Sequence, residues 1–217
     1  MKKNFVVIFD LDGTVLNTDT LIFKSFEHVF KKYFPEHKLT NEELLSFLGP
    51  SLKASFSRFT NDKVEECIEY YREFNHSHHE DYVTIYSHVK EVLEELKAKG
   101  YPLAIVTTKV KDAALIGLDL FDLTKYFDVI LGMNEVKNIK PDPEGINKAL
   151  EATNCVKGVM IGDNKSDILA GKNADIYTIA VKWSPKGYQE MLEIKPDLLI
   201  DDMSEIVEFI ERMSEKC

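Results

Sequence analysis

Two aspartates separated by one residue, Asp10 and Asp12, are the first residues here whose types and spacing could do chemistry. They follow the apolar run Phe5-Val6-Val7-Ile8, and Gly13 and Thr14 come next. Two ionised carboxylates about 4 Å apart repel by roughly 4 kcal/mol at an effective dielectric constant near 20. A hard, oxygen-seeking cation is the simplest way to relieve that repulsion. Otherwise the carboxylates must point apart in a surface turn, or one must stay protonated.

Three further polar segments lie where predicted strands end or just before a helix. They are Thr107-Thr108-Lys109, the segment that places Lys140 beside two prolines, and a Gly-Asp turn with Asp163 and Asp167. Threonine hydroxyls and backbone N–H groups at such a turn can hold the oxygens of an anion. Two aspartates four residues apart can both face a cation near Asp10. Ligands bind at the carboxyl ends of strands in open α/β sheets, so we expect the four segments to meet there.

The hydrophobic pattern predicts an α/β protein with a doubly wound, mainly parallel sheet. Apolar runs typical of strands buried on both faces alternate with amphipathic helices over most of the chain. Such alternation implies right-handed crossovers and helices on both faces of the sheet. The predicted strands are Phe5-Val6-Val7-Ile8, Leu103-Ala104-Ile105-Val106, Asp128-Val129-Ile130-Leu131, Gly158-Val159-Met160-Ile161, Tyr177-Thr178-Ile179-Ala180-Val181 and Leu198-Leu199-Ile200.

A helical segment of about sixty residues interrupts this alternation after the first strand. Its first helix is predicted from Leu21 and ends near Pro35. Thr40 and Asp62, each followed three residues later by glutamate, predict capping boxes that open two further helices. We therefore expect two domains: a helical cap domain at residues 17–81, inserted into an α/β domain formed by residues 1–16 and 82–217. Helical insertions of this kind can stand over a site.

Composition excludes several classes of protein. Hydrophobic content of 44% and charged content of 29% are ordinary for a globular domain. The net charge of -10 argues against nucleic-acid partners, which require clustered Lys and Arg. No run approaches the ~18 apolar residues of a membrane helix, and the start at Met1 and Lys2 lacks the apolar stretch of a signal peptide. Three distant cysteines (Cys67, Cys155 and Cys217) suit a reducing cytosol, so we expect a cytoplasmic protein.

Taken together, the four segments resemble the motifs of haloacid dehalogenase-like phosphohydrolases, and the resemblance covers essentially the whole chain. It implies a Rossmann-like core with a helical cap. It also implies that Asp10 is the nucleophile that forms an aspartyl-phosphate and that Asp12 is the acid and base. Thr107 and Lys140 would hold the transferring phosphate, with Thr14, Thr108 and Lys109 as further substrate contacts. Mg²⁺ would be bound by Asp10, the backbone carbonyl of Asp12, and Asp163, with Asp167 acting nearby or through water.

A closer resemblance, including Gly49-Pro50-Ser51-Leu52 and Asp163-Asn164, points to the bacterial inorganic pyrophosphatase and phosphoglycolate phosphatase branch. It implies a small phosphorylated substrate, with pyrophosphate first and 2-phosphoglycolate second. A sugar phosphomutase is a further enzymatic alternative. A receiver-type signalling domain is the alternative that is not an enzyme, and the helical insertion argues against it. The oligomeric state stays open, and a monomer is compatible with the sequence.

Several residues carry more than one interpretation. Lys53 and Arg58 either reach a second phosphate or form a solvated helix face. The histidines His76, His78 and His79 could form a transition-metal site, but we expect a solvated helix end. Trp183 follows the fifth strand and either packs over the rim of the site or belongs to ordinary loop packing. Lys165 and Asp175 depart from the expected pattern, and Asp175 occupies a predicted left-handed helix terminus.

Overall fold

A computed structural model of the chain describes residues 3–216, in which six parallel strands form one sheet. The order across this sheet is β5-β4-β1-β6-β7-β8. Its strands are β1 (Phe5–Phe9), β4 (Leu103–Val106), β5 (Val129–Leu131), β6 (Lys157–Gly162), β7 (Tyr177–Val181) and β8 (Leu198–Ile200). The predicted fold class is confirmed, with flanking helices around a parallel sheet. Predictions that involve Met1, Lys2 and Cys217 lie outside the described residues.

Strand β1 lies at the centre of the sheet because it is apolar on both faces. Its side chains are at most 1% exposed. Val7 pairs with Leu103 of β4 on one side and with Val159 of β6 on the other. The carboxyl ends of β1, β4 and β6 therefore reach the same edge of the sheet. Two short strands that the sequence did not predict, β2 (Leu16–Asn17) and β3 (Thr84–Ile85), form a separate two-stranded sheet.

The helices follow the predicted alternation. In the first part of the chain they are α1 (Asp19–Tyr33), α2 (Asn41–Ser46), α3 (Leu52–Phe56), α4 (Val64–Ser77) and α5 (His79–Tyr82). In the second part they are α6 (Val89–Ala98), α7 (Lys111–Leu120), α8 (Glu144–Thr153), α9 (Lys165–Asn173), α10 (Gln189–Ile194) and α11 (Ile206–Ser214). Short 3₁₀ turns lie at Thr124–Tyr126, Met133–Glu135 and Met203–Glu205. None of the helices in residues 3–216 has the length and apolar character needed to cross a membrane.

The chain divides into two compact units. One unit contains Met1–Leu16 and Ile85–Cys217, and the other contains Asn17–Thr84. The α/β unit is built around a buried cluster that includes Val6, Ile8 and Met160. The predicted domain boundaries, which end the inserted domain at residue 81, stay a prediction.

The helical unit Asn17–Thr84 is packed around aromatic rings. Phe26 stacks on Phe47 with ring centroids 3.8 Å apart, and Phe56 and Tyr71 lie 5.0 Å from Phe26. Such contacts contribute beyond their buried area, by about 0.5–1.5 kcal/mol a pair. These rings supply a core for the unit that is separate from that of the sheet.

One of the two predicted capping boxes is confirmed and the other is wrong. Thr40 N donates to Glu43 Oε2 at 2.9 Å, and Glu43 N donates to Thr40 Oγ1 at 3.2 Å, so both halves of this box open α2. Asp62 does not cap α4, which begins at Val64 with no side-chain cap. The Asp62 carboxylate instead accepts a hydrogen bond from Thr60 Oγ1, a local partner that competes with the helix terminus.

Candidate active site

Three neighbouring strands deliver one polar residue each to the same edge of the sheet. Asp10 follows β1, Thr107 follows β4 and Asp163 follows β6. All three are buried, with exposures of 7%, 5% and 8%. A parallel sheet brings the carboxyl ends of adjacent strands side by side, so residues far apart in the sequence become neighbours here. The structure thus brings together the acidic and hydroxyl residues that the sequence singled out.

Lys140 lies in the middle of this cluster. Its Nζ is 2.6 Å from Asp10 Oδ1 and 2.7 Å from Asp167 Oδ1, and it donates to the Val106 carbonyl at 2.8 Å. Its side chain is only 4% exposed. An ammonium at this depth requires partners for its donors, and two carboxylates with one carbonyl supply them.

The segment that carries Lys140 is held by side chains on both of its flanks. The Glu144 carboxylate accepts hydrogen bonds from the backbone N–H groups of Lys137 and Asn138, at 3.0 and 2.9 Å. Asn173 Nδ2 donates to the carbonyl of Pro141 at 2.9 Å. The Lys140-Pro141 peptide bond is cis. These contacts fix the backbone on either side of the lysine.

Asp167 is oriented by the start of helix α9. Its Oδ2 accepts a hydrogen bond from the backbone N–H of Asn164 at 2.9 Å, as one half of a capping box. Its other oxygen faces Lys140, so both oxygens have a partner. A Cβ on Gly162 would lie 2.3 Å from the Asp167 Cβ, so only glycine leaves room for this approach. The turn Gly162-Asp163-Asn164 therefore places two carboxylates at the site.

Burial and mutual repulsion shift the ionisation of these groups. Burial is the main cause that raises the pKa of Asp10 to about 7, and Lys140 opposes that shift. Burial also raises the pKa of Asp163, and the charges of Asp167 and Asp10 add to the effect. For Lys140, burial alone lowers the pKa, but the charges of Asp10 and Asp167 outweigh it and raise the value. One ammonium therefore cannot balance three ionised carboxylates, and without a further positive charge the protonated forms of Asp10 and Asp163 are favoured.

The donor set suits a divalent cation. Asp10, Asp163 and Asp167 each offer a carboxylate oxygen, and these oxygens all lie within 4.8 Å of one another. Hard cations such as Mg²⁺ prefer oxygen ligands of this kind. Within residues 3–216 this is the group of His, Cys, Asp and Glu side chains close enough to hold a metal ion. A bound cation would favour the ionised forms of these carboxylates, which burial and mutual repulsion otherwise disfavour.

Asp12 has a different environment from Asp10. Its Oδ1 is 3.0 Å from Lys109 Nζ, and its side chain is 24% exposed. Lys109 is held in turn because its backbone N–H donates to Thr107 Oγ1 at 3.1 Å. Of the two predicted aspartates, Asp10 is thus buried in the cluster, whereas Asp12 remains accessible and paired with its own lysine.

The other predicted substrate contacts are distributed unevenly. Thr14 is fully buried, and its Oγ1 has no hydrogen-bond partner among the described residues. Thr108 is half-buried directly after Thr107. Lys53 and Arg58 belong to the helical unit and are exposed. Substrate binding by these four residues stays a prediction.

Within the helical unit, Arg58 contacts neighbouring side chains, and one of the three histidines, His79, is buried. Arg58 Nη1 donates to Ser46 Oγ at 2.8 Å, and its guanidinium lies 5.5 Å from the Phe47 ring centre. The expectation of a solvated helix end is wrong for His79, which is 2% exposed and has Nδ1 2.7 Å from the Asn75 carbonyl oxygen. Helix packing at the end of α4 encloses this ring.

The structure also identifies two residues near the site that the sequence reasoning missed or misjudged. Ser184 Oγ donates to Asp163 Oδ2 at 3.0 Å, and Trp183 Nε1 donates to the carbonyl of Gly13 at 3.0 Å. Of the two interpretations of Trp183, the contact with Gly13 favours a position at the site over ordinary loop packing. Both follow β7, so the rule that ligands collect at strand ends could have indicated this loop as well.

Comparisons with known proteins agree with this geometry. The sequence profile of haloacid dehalogenase-like hydrolases matches residues 7–181. A pyrophosphatase PpaX of Bacillus cereus (strain B4264) is 43% identical over 210 residues, which cover 96% of this chain and 97% of that protein. A second pyrophosphatase PpaX, from Bacillus thuringiensis (strain Al Hakam), is 42% identical and covers 99% of both chains.

A solved structure supports the same assignment. A haloacid dehalogenase-like family hydrolase from Streptococcus pneumoniae superimposes with a TM-score of 0.83 at 26% identity, covering 95% of this chain and 98% of that chain. Sequence profile, full-length relatives and fold therefore point to one family. Because the match extends over most of the chain and includes the strands that carry the buried carboxylates, the chain belongs to the haloacid dehalogenase-like hydrolases.

Proposed function

We propose that this hydrolase is a phosphatase that cleaves inorganic pyrophosphate with Mg²⁺ and forms an aspartyl-phosphate on Asp10. The observation that carries the proposal is the buried cluster in which Lys140 bridges Asp10 and Asp167 beside Asp163. The identity of 43% with a pyrophosphatase over nearly the full chain supports the choice of substrate. Family membership sets aside the receiver-type signalling domain considered from the sequence.

In the first step, a carboxylate oxygen of Asp10 attacks phosphorus, and the bond from phosphorus to the leaving oxygen breaks. Asp12 donates its proton to that leaving oxygen. Lys140 and the Thr107 hydroxyl bind oxygens of the transferring group, because phosphoryl transfer is mainly positioning and charge neutralisation. Bound Mg²⁺, held by Asp10, Asp163, the Asp12 backbone carbonyl and, directly or through water, Asp167, would offset the negative charge that separates nucleophile from phosphate.

In the second step, Asp12 removes a proton from water, and the water oxygen attacks the phosphorus of the aspartyl-phosphate. The bond between Asp10 and phosphorus then breaks, which regenerates the carboxylate and releases phosphate. Acid–base help of this kind typically contributes about 10²–10⁴ in rate. The pair with Lys109 orients the Asp12 carboxylate, which at 24% exposure is accessible to a leaving group and to water.

The test is phosphate release from pyrophosphate, 2-phosphoglycolate and glucose 1-phosphate, each with Mg²⁺ and with a chelator. We expect turnover of pyrophosphate with the highest kcat/KM and loss of turnover in chelator. Asp10→Asn is expected to lower kcat by about 10³-fold or more because it removes the nucleophile.

Four outcomes would contradict parts of the proposal. Equal rates in chelator would exclude a catalytic role for the cation. Retained activity in Asp10→Asn would exclude Asp10 as the nucleophile. A higher kcat/KM for 2-phosphoglycolate than for pyrophosphate would make 2-phosphoglycolate the preferred substrate. Formation of glucose 6-phosphate without phosphate release would indicate a mutase.

A further inference from the structure

The loop that follows β7, residues 182–187, contacts the candidate site through two adjacent side chains. Ser184 Oγ donates to Asp163 Oδ2, and Trp183 Nε1 donates to the carbonyl of Gly13, each at 3.0 Å. Ser184 is 5% exposed, so its hydroxyl is largely withdrawn from solvent. We call residues 182–187 the β7 loop. The proposed mechanism gives no role to Ser184 or to Trp183.

The same oxygen of Asp163 that accepts from Ser184 also lies against the backbone of Gly13. A Cβ on Gly13 would be 2.6 Å from Asp163 Oδ2, and Gly13 has a φ of +83°. The carboxylate is therefore enclosed between a glycine on one side and a hydroxyl donor on the other. Rotation of the Asp163 side chain would break the Ser184 hydrogen bond, so the hydroxyl selects one orientation of the carboxylate.

Trp183 holds the peptide of Gly13, which lies against the Asp163 carboxylate. The Gly13 carbonyl accepts from the indole, while the Gly13 N–H donates to the Leu16 carbonyl at 2.8 Å. The indole is itself packed against Tyr86, with ring centroids 5.4 Å apart. Gly13 directly follows Asp12, so this anchoring also restricts the peptide that carries the Asp12 carbonyl. Both sides of Asp163 are thus tied to the β7 loop.

We infer that Ser184 and Trp183 are positioning residues that preorganise Asp163 and the Gly13 peptide for binding of a divalent cation. The inference rests on the proposed function for its chemical purpose. A hydrogen-bonding partner behind a metal-binding carboxylate typically changes metal affinity by about 10–100-fold when it is removed. A purely structural role would instead lower the stability of the fold and leave cation affinity unchanged.

The test is binding of Mn²⁺ to the resting protein, measured without substrate by the electron paramagnetic resonance signal of free Mn²⁺. Ser184→Ala is expected to raise the Kd for Mn²⁺ by about tenfold. Ser184→Thr keeps the hydroxyl and is expected to stay within about threefold of the original protein. Ser204→Ala is the control, because it removes an exposed hydroxyl that donates to Asp202 rather than to Asp163, and it is expected to leave Kd unchanged.

Trp183→Phe removes the indole N–H but keeps an aromatic ring against Tyr86. We expect its Kd for Mn²⁺ to rise by at least about threefold, the effect of one lost hydrogen bond. Thermal unfolding of every variant, followed by circular dichroism, identifies those that fold. A folded Ser184→Ala or Trp183→Phe variant that binds Mn²⁺ as tightly as the original protein overturns the role of that residue.

Equal weakening in Ser184→Ala and Ser184→Thr overturns the role of the hydroxyl. Ser184→Thr and Ser204→Ala therefore separate loss of the donor from a change in packing. The outcome does not depend on which substrate the enzyme uses. If the original protein fails to cleave pyrophosphate, the proposed function fails, yet the order of Mn²⁺ affinities still decides whether the β7 loop positions the cation site.

Discussion

A single ammonium group, Lys140 Nζ, is shared by Asp10 and Asp167 at the centre of the site. Removing one member of a buried ion pair leaves an uncompensated charge, whereas a partly exposed pair contributes little. Lys109 and Asp12 form such a partly exposed pair, with 13% and 24% of their side chains accessible. The two lysines therefore offer a matched comparison between buried and accessible charge in one site.

We predict that Lys140→Met lowers the free energy of unfolding without a metal by about 3–5 kcal/mol, because two buried carboxylates lose their partner. Lys109→Met is the control and is expected to cost at most about 1 kcal/mol. Urea unfolding of both variants, with and without Mg²⁺, measures the difference. Mg²⁺ should recover part of the loss in Lys140→Met, and equal losses in the two variants would contradict the assignment of Lys140 as the buried counter-charge.

At the scale of elements, the segment between β5 and α8 determines where Lys140 lies. The carboxylate at the start of α8, Glu144, pairs with Lys148 and accepts the N–H groups of Lys137 and Asn138. These contacts lower the pKa of Glu144 to about 2, and the side-chain hydrogen bond from Lys148 is the largest cause. The fold therefore favours the charged form of this half-buried carboxylate.

This lowered pKa predicts a specific dependence of stability on pH. Because the folded value lies below the ordinary 4.5, the contribution of Glu144 is present above pH 4.5 and is lost as the pH falls toward 2. Melting temperatures of the original protein and of Glu144→Gln should differ by a constant amount near neutrality and converge between about pH 4.5 and pH 2. Glu151→Gln, at an exposed position of the same helix, is the control for the substitution itself, and the convergence for Glu144→Gln is measured relative to it.

At the scale of the whole molecule, the proposed ligands of Mg²⁺ all belong to one of the two units, that of the parallel sheet. A ligand that binds only the folded state stabilises it by RT ln(1 + [L]/Kd), about 2.7 kcal/mol at a concentration of 100 Kd. Mg²⁺ binding should therefore appear as a concentration-dependent rise in thermal stability.

Calorimetry of the protein in Mg²⁺, against KCl at matched ionic strength, tests this prediction. If two transitions are seen, only that of the sheet unit should move. Asp163→Asn should lose most of the response because it removes a ligand charge. A shift that is the same in KCl would reflect screening of the net charge of -10 rather than a bound ion.

The sequence alone predicted the elements that depend on local pattern. All six strands of the large sheet were predicted from mainly apolar runs, with bounds that differ by one residue at the end of β1, at the start of β5 and at both ends of β6. The left-handed backbone of Asp175, with φ of 53°, was expected from its place after α9. Asp62 shows the limit of such reasoning, because its alternative partner Thr60 lies outside the pattern of a capping box.

By itself, the sequence determined which residues could do the chemistry and that parallel strands would bring them to one edge. That inference is possible because side-chain period, capping and strand-end position are properties of short stretches. Only the tertiary structure decided that Lys140 bridges two carboxylates, that Lys109 pairs with Asp12, and that Ser184 and Trp183 hold Asp163 and Gly13. Those pairings join residues far apart in the chain, and they depend on distances and burial that no local pattern specifies.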